Sequence, residues 1–224
     1  MTEYTLTRSK RKTIGLYIKG GILEIRAPLK CPQSEIDRLI TEKENWITTK
    51  LAKSKKQTEQ KQSFALNYGD TIIFRGENYP LIEKAGSRAG FDGESFYVPP
   101  KMDSDLIISA CVKIYTRLAK IHLAERVEVF AKQMMVSPTA VKVNSAKGRW
   151  GSCSNRKSLN FSWRLIMADD DVIDYVVVHE LAHIIEMNHS AKFWAIVENV
   201  LPDYMERKSR LRKLQKRLST ENWG

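Results

Sequence analysis

The chain has 224 residues, 42% of them hydrophobic and 28% charged, a balance that builds a full core and excludes a chain too polar to fold. Its formal net charge of +11 fits a well-solvated basic surface and also favours acidic partners, nucleotides or nucleic acid among them. There is no apolar run of about eighteen residues and no charged-then-apolar leader, which argues against a membrane span or a signal peptide. Three widely spaced cysteines, Cys31, Cys111 and Cys153, make no disulfide framework, so a cytoplasmic protein with reduced thiols is expected.

Residues 2–12 are polar and basic and read as loosely ordered. Residues 13–18 and 22–27 read as two strands joined at Gly20-Gly21, a two-residue hairpin turn. Ser34 with Asp37 resembles a capping box. Ile36, Leu39, Ile40, Trp46, Ile47 and Leu51 then follow at near-helical spacing, which predicts a helix over 35–53. The Lys- and Gln-rich stretch 54–62 reads as an exposed connection. Short strands are predicted at 64–68, 71–74, 79–83 and 95–98, separated by Gly69-Asp70, Gly76-Glu77-Asn78 and Asp92-Gly93. Pro99-Pro100 marks a boundary, so residues 1–100 form a β-rich region with one helix and no catalytic cluster.

From 104 to about 135, Ile107, Ile108, Cys111, Ile114, Tyr115, Leu118 and Phe130 predict a long amphipathic helix, stopped by Ser137-Pro138. His122 is an ordinary residue of that helix, and Cys111 is a buried thiol. Residues 140–143 read as a strand, 147–154 as a turn containing Gly148, Trp150 and Gly151, and 159–163 as a half-buried strand. A helix from 193 to 201 stops near Pro202. The last helix, 203–218, sets Arg207, Lys208, Arg210 and Arg212 against Leu211, Leu214 and Leu218. It is either a solvated amphipathic helix or a surface for an anionic partner.

The chemistry concentrates between these segments. Three of the four histidines fall within residues 179–189, beginning with His179-Glu180-Leu181-Ala182-His183. Val172, Ile173, Val176, Val177, Leu181, Ile184 and Ile185 make the stretch 170–187 apolar on most sides, so it reads as a buried helix despite the β-branched run Val176-Val177-Val178. On a helix, two His four apart leave one face, roughly 40° apart around the axis and about 6 Å apart along it. That is one edge of a tetrahedral Zn²⁺ site, and a buried helix does not keep such polar groups without partners. Glu180 sits beside this edge, placed to take a proton from a water activated by the metal.

His189 is the favoured third ligand, with Glu186 and Glu198 as rivals that serve equally as partners orienting a ligand. A continuing helix would carry His189 about 9 Å beyond His183, so the helix has to end first. Asn188 is a candidate left-handed terminator and Ser190 a candidate N-cap for the next helix. Arg149 and Arg164 bracket the turn and strand before the helix and are candidates for holding an oxyanion or a carboxylate, or for structural ion pairs. Cys153 is a neighbouring thiol or a further ligand. The strand 159–163 is the candidate for pairing with an extended peptide.

The C-terminal half resembles the YgjP-like metallopeptidase family, relatives of the SprT and Wss-type proteases. The likeness rests on Arg149-Trp150-Gly151-Ser152-Cys153, on Leu159-Asn160 with Arg164-Leu165-Ile166, and on His179 through His183 and Glu186-Met187-Asn188-His189-Ser190 to Phe193-Trp194. The resemblance implies an α+β chain whose residues 101–224 form a zincin-like domain with a small sheet and an active-site helix. It implies His179, His183 and His189 as Zn²⁺ ligands and Glu180 as general base. Arg149, Asn160 and Arg164 are candidate substrate-binding residues. Metzincins share the His spacing, but Glu186 stands where they carry Gly.

The expected function is zinc-dependent endopeptidase activity on peptide or protein substrates. Two rivals use the same ion: hydrolysis of nucleoside triphosphates, and proteolysis of DNA-bound proteins, with a salt-sensitive affinity for nucleic acid. No phosphate-cradling Gly-rich loop supports the first and no recognised nucleic-acid motif supports the second.

Overall fold

A computed structural model describes residues 3–224. The chain is α+β and divides into two compact units. One ends at Phe64 and includes Leu218–Asn222; the other comprises Ala65–Arg217 with Trp223–Gly224. The first unit thus ends short of residue 100, at Phe64, and strands 71–98 group with the unit that carries His179, His183 and His189. Pro99-Pro100 breaks a strand without separating two cores.

In the first unit, β1 (Tyr4–Ser9), β2 (Gly15–Lys19) and β3 (Ile22–Pro28) form a sheet in the order β1-β3-β2. The β2–β3 hairpin turns at Gly20 and Gly21, whose φ angles of 58° and 80° suit glycine. The stretch 2–12 was expected to be loose; Thr2 lies outside the described residues, but Tyr4–Ser9 pairs in parallel with β3. Most of β1's side chains are exposed, so no apolar alternation announces it. Arg8 ties it down by donating to the Cys31 carbonyl at 2.6 Å.

The helix expected over 35–53 is two helices, α1 (Gln33–Glu42) and α2 (Glu44–Gln62), broken at Lys43 with φ −103° and ψ 13°. Helix α1 starts at Pro32, and Ser34 makes no cap. The stretch 54–62 is helical because Lys, Gln and Glu are good helix formers, even on a turn that buries little. Leu23, Ile25, Ala27, Ile36 and Ile47 form this unit's core.

The second unit begins with a sheet of β4 (Thr71–Phe74), β5 (Glu77–Glu83), β6 (Gly90–Phe91) and β7 (Phe96–Val98), in the order β4-β5-β7-β6. The strand expected at 64–68 is absent; the Leu66 N–H is bonded to Ser104 Oγ at 2.9 Å instead of to a ladder. Helix α3 (Ser104–Gln133) is capped by Asp103, which accepts the Leu106 N–H. A second sheet follows, made of β8 (Ala140–Asn144), β9 (Gly151–Cys153) and β10 (Ser158–Ser162) in the order β8-β10-β9. A 3₁₀ turn, Trp163–Met167, leads to α4 (Asp170–Ala182), α5 (Ala191–Val200) and α6 (Tyr204–Leu218). Trp163 stacks on Tyr115 of α3 at 5.6 Å between centroids, and the Tyr115 hydroxyl donates to the Ile73 carbonyl at 2.7 Å. Those contacts bind the first sheet, α3 and the 3₁₀ turn into one core. Among the described residues, no helix is long and apolar enough to cross a membrane.

Four arginines hold the N-terminal half of α4. Arg75 pairs with Asp170, Arg126 with Asp174 at 2.6 and 2.8 Å, Arg207 with the Asp171 carbonyl, and Arg210 with Asp169 and Asp171. The acidic side chains of the first turn also meet the positive end of the helix dipole. The Asp174 side chain is only 14% exposed, so Arg126→Ala strands it without its bidentate partner. That variant should lose about 2 kcal/mol of stability, read as a lower urea midpoint with an unchanged slope.

Candidate metal centre

Helix α4 buries Val172, Ile173, Val176, Val177, Val178 and Leu181, so burial on most sides holds the β-branched run helical. It ends at Ala182, earlier than expected, with His183 as its C-terminal cap. Tight turns follow: Ile184 N–H donates to the Leu181 carbonyl at 3.0 Å and Glu186 N–H to the Ala182 carbonyl at 2.9 Å. Asn188 is not left-handed, contrary to expectation; its N–H reaches Glu186 Oε1 at 3.4 Å. The Ser190 N–H bonds the Asn188 carbonyl, and Ser190 Oγ accepts the Phe193 N–H, which opens α5. This reversal returns His189 to the helix it left.

The ligand atoms of His179, His183 and His189 lie within 4.8 Å of one another, and His189 Nε2 is 3.0 Å from His179 Nε2. Two nitrogens on one tetrahedral Zn²⁺ are about 3.3 Å apart, so the spacing fits an ion held between them. His183 Nδ1 is 3.2 Å from the Glu186 carbonyl; a proton donated there leaves Nε2 with its lone pair. Burial, reinforced by His183 and His189, lowers the His179 pKa to about 3, and burial also lowers that of His183. Neutral imidazoles at neutral pH bind a metal without first losing protons. Among the described residues, neither Glu186 nor Glu198 joins this group, and Cys153 lies outside it.

Phe193 and Trp194 wall the three rings. Phe193 is 4.9, 4.5 and 4.8 Å from His179, His183 and His189, and Trp194 stacks along His189 at 5.7 Å. Both open the helix expected from residue 193. The signal for their position is Ser190: an N-cap there fixes residues 193 and 194 on the first turn, against His189.

Glu180 is 5% exposed, and burial raises its pKa to about 7 against the opposing charge of Arg149. Its carboxylate packs on β9 at Gly151. A Cβ on Gly151 would stand 2.5 Å from Glu180 Oε1 and 2.6 Å from Cγ. Glycine is needed there for space, not for a special φ.

Sheet order corrects one expectation. Strand β10, expected to pair with a peptide, is the central strand, parallel to β8 and antiparallel to β9. The edge next to Glu180 is β9, which was read as a turn because Gly151-Ser152-Cys153 is short and carries no apolar alternation. Arg149 lies just before β9, exposed, with its charge felt at Glu180. Asn160 sits opposite Ser152 in β10, half-buried. Arg164 is buried, donates to the Ser145 and Gly224 carbonyls at 2.9 and 3.3 Å, and lies over Trp163. Its donors are spent on holding the fold. Cys153 is half-buried on β9, and its thiol pKa is raised by burial and by Glu180. A cavity of about 340 Å³ opens beside the centre, between Trp150 and Gly151, α4, and the Lys208–Gln215 stretch of α6.

No curated protein matches the chain. Among solved structures, the metallopeptidase zymogen abylysin of Pyrococcus abyssi is 20% identical, with a TM-score of 0.38 over 45% of this chain and 97% of its own. The metallopeptidase zymogen jannalysin of Methanocaldococcus jannaschii is 19% identical, with a TM-score of 0.37 over 41% and 94%. The description of the YgjP-like metallopeptidase domain matches residues 12–214. With a match across nearly its whole length, the chain belongs to the YgjP-like family and is a metallopeptidase, acting on peptide or protein substrates.

Proposed function

We propose that the chain is a zinc-dependent endopeptidase in which His179, His183 and His189 hold the ion and Glu180 is the general base. The observation that carries this reading is the buried Glu180 carboxylate, packed against an edge strand and lining one cavity with His179, which belongs to a group of three converging imidazoles. Zinc, when bound there, supplies a Lewis acid that polarises the scissile carbonyl and acidifies a water. Glu180 accepts a proton and returns it to the leaving amine. Strand β9 takes over the role expected of β10, aligning an extended peptide through its unpaired edge.

Arg149 is the candidate substrate-binding residue that this reading retains, positioned to meet negative charge near Glu180. The same reading places the enzyme in the cytoplasm, where its thiols stay reduced.

The test is hydrolysis of an unfolded protein by zinc-loaded enzyme. Cleavage that stops on chelation and returns with zinc supports the proposal; intact substrate with zinc bound overturns it. The ligand set has its own test. His189→Ala should weaken zinc binding by roughly 100-fold in competition with a chromophoric chelator. Unchanged affinity would return the third position to Glu186 or Glu198.

A further inference from the structure

The cavity beside the metal centre contains charge that the hydrolytic step does not use. We propose that it is a side-chain subsite selecting a substrate residue with a carboxylate, Glu or Asp, close to the scissile bond, with Lys208 and Arg212 as the selecting groups. This inference rests on the peptidase reading above.

Position comes first. The cavity shares Gly151, His179 and Glu180 with the proposed catalytic group. Successive side chains of an extended peptide point to opposite faces, so a chain lying along β9 directs every second one to the same side. A residue next to the bond held at Glu180 is therefore within reach of the cavity. At about 340 Å³, the space lies within the usual range of ligand sites.

The lining supplies the chemistry. Trp150, Tyr175, Val176 and Leu211 offer an apolar wall for a methylene stem. Lys208 and Arg212, four residues apart on α6, stand on the same face of that helix. Their charges reach into the site: Lys208 acts on His179 and Arg212 on Tyr175.

Two neighbouring arginines of α6 are already engaged, Arg207 with Asp203 and Arg210 with Asp169 and Asp171. Among the described residues, Lys208 and Arg212 make no ion pair; Lys208 Nζ lies 4.3 Å over the Trp194 ring. The one acid in the lining is Glu180, buried against β9. An apolar wall beside two cations that have no acidic partner complements a short carboxylate side chain.

The test uses zinc-loaded full-length protein and a peptide series in which Glu, Gln or Lys occupies each position flanking the cleaved bond. Binding is read by fluorescence anisotropy in the Glu180→Gln background, and cleavage in the wild type. At one position Glu should bind about tenfold more tightly than Gln, as charge-assisted hydrogen bonds do. Lys208→Ser with Arg212→Ser should bring that ratio to about one, and Lys208→Glu with Arg212→Glu should shift the preference to Lys. Lys55→Ser with Lys61→Ser, which changes net charge equally, should leave the preference in place.

A Glu-to-Gln ratio within about twofold of one at every position, or a preference that the control pair abolishes equally, overturns the subsite. Discrimination in binding without cleavage of any peptide supports the subsite and sinks the peptidase reading. Cleavage without discrimination does the reverse.

Discussion

Glu180→Gln should keep zinc with unchanged stoichiometry and lose roughly 10³-fold in turnover of an unfolded protein, the range expected when a general base is removed. Gln matches Glu in shape, so it fits the space over Gly151 and leaves the three histidines undisturbed, but it cannot take a proton. Activity within tenfold of wild type would remove Glu180 from the proposed mechanism.

The same variant has a second readout in the metal-free protein. Burial raises the folded-state pKa of Glu180 from 4.5 to about 7, so between those values the folded chain binds more protons than the unfolded chain. The contribution of the protonated carboxyl is present below pH 4.5 and is lost as pH rises towards 7. Metal-free Glu180→Gln should therefore gain stability over wild type across that window, by up to about 3 kcal/mol at pH 8. An equal response of both proteins to pH in urea titrations would show that Glu180 ionises freely.

Gly151→Ala is the second large effect. The added methyl meets the Glu180 carboxylate at 2.5 Å, closer than any real contact, and Glu180 is too buried to swing aside freely. Either the carboxylate moves away from the ligands or the edge strand withdraws. A displacement of about 1 Å at a catalytic group costs on the order of 10²-fold in rate, so turnover should fall by that much with zinc affinity intact. Gly148→Ala is the control, because its Cβ meets nothing within 4 Å. Full activity in Gly151→Ala would mean that the position of Glu180 against β9 is irrelevant to turnover.

Much of the metal centre was legible because its signals are local. Two His at helical spacing declare a shared face, and an N-cap serine at Ser190, shortly beyond the helix end, declares a reversal. The edge strand was not legible: three residues containing a glycine carry no periodicity, and only the pairing with Phe161, Asn160 and Leu159 reveals them as β9. Arg164 misled for a related reason. An arginine beside a catalytic motif looks the same in sequence whether it faces substrate or, as here, the backbone carbonyls of Ser145 and Gly224. The basic character of α6 was visible as composition, but the partners of Arg210 are Asp169 and Asp171 at the start of α4, more than thirty residues upstream. The hairpin at Gly20-Gly21 was fixed by turn chemistry, whereas the division after Phe64 depends on which core Ile72, Phe74 and Leu81 join.

The three imidazoles are supplied by one helix end, one turn and the residue that precedes the next helix, all between residues 179 and 189. Gathering them closes only a very short loop, so the donor cluster costs little chain entropy to assemble. The contact between Glu180 and Gly151 spans residues 151 to 180 and requires the β9–β10 pairing to be in place. Short-range contacts form before long-range ones as a chain folds. In the proposed mechanism the donor cluster is therefore a local property of the chain, whereas seating the general base depends on contacts between segments far apart in sequence.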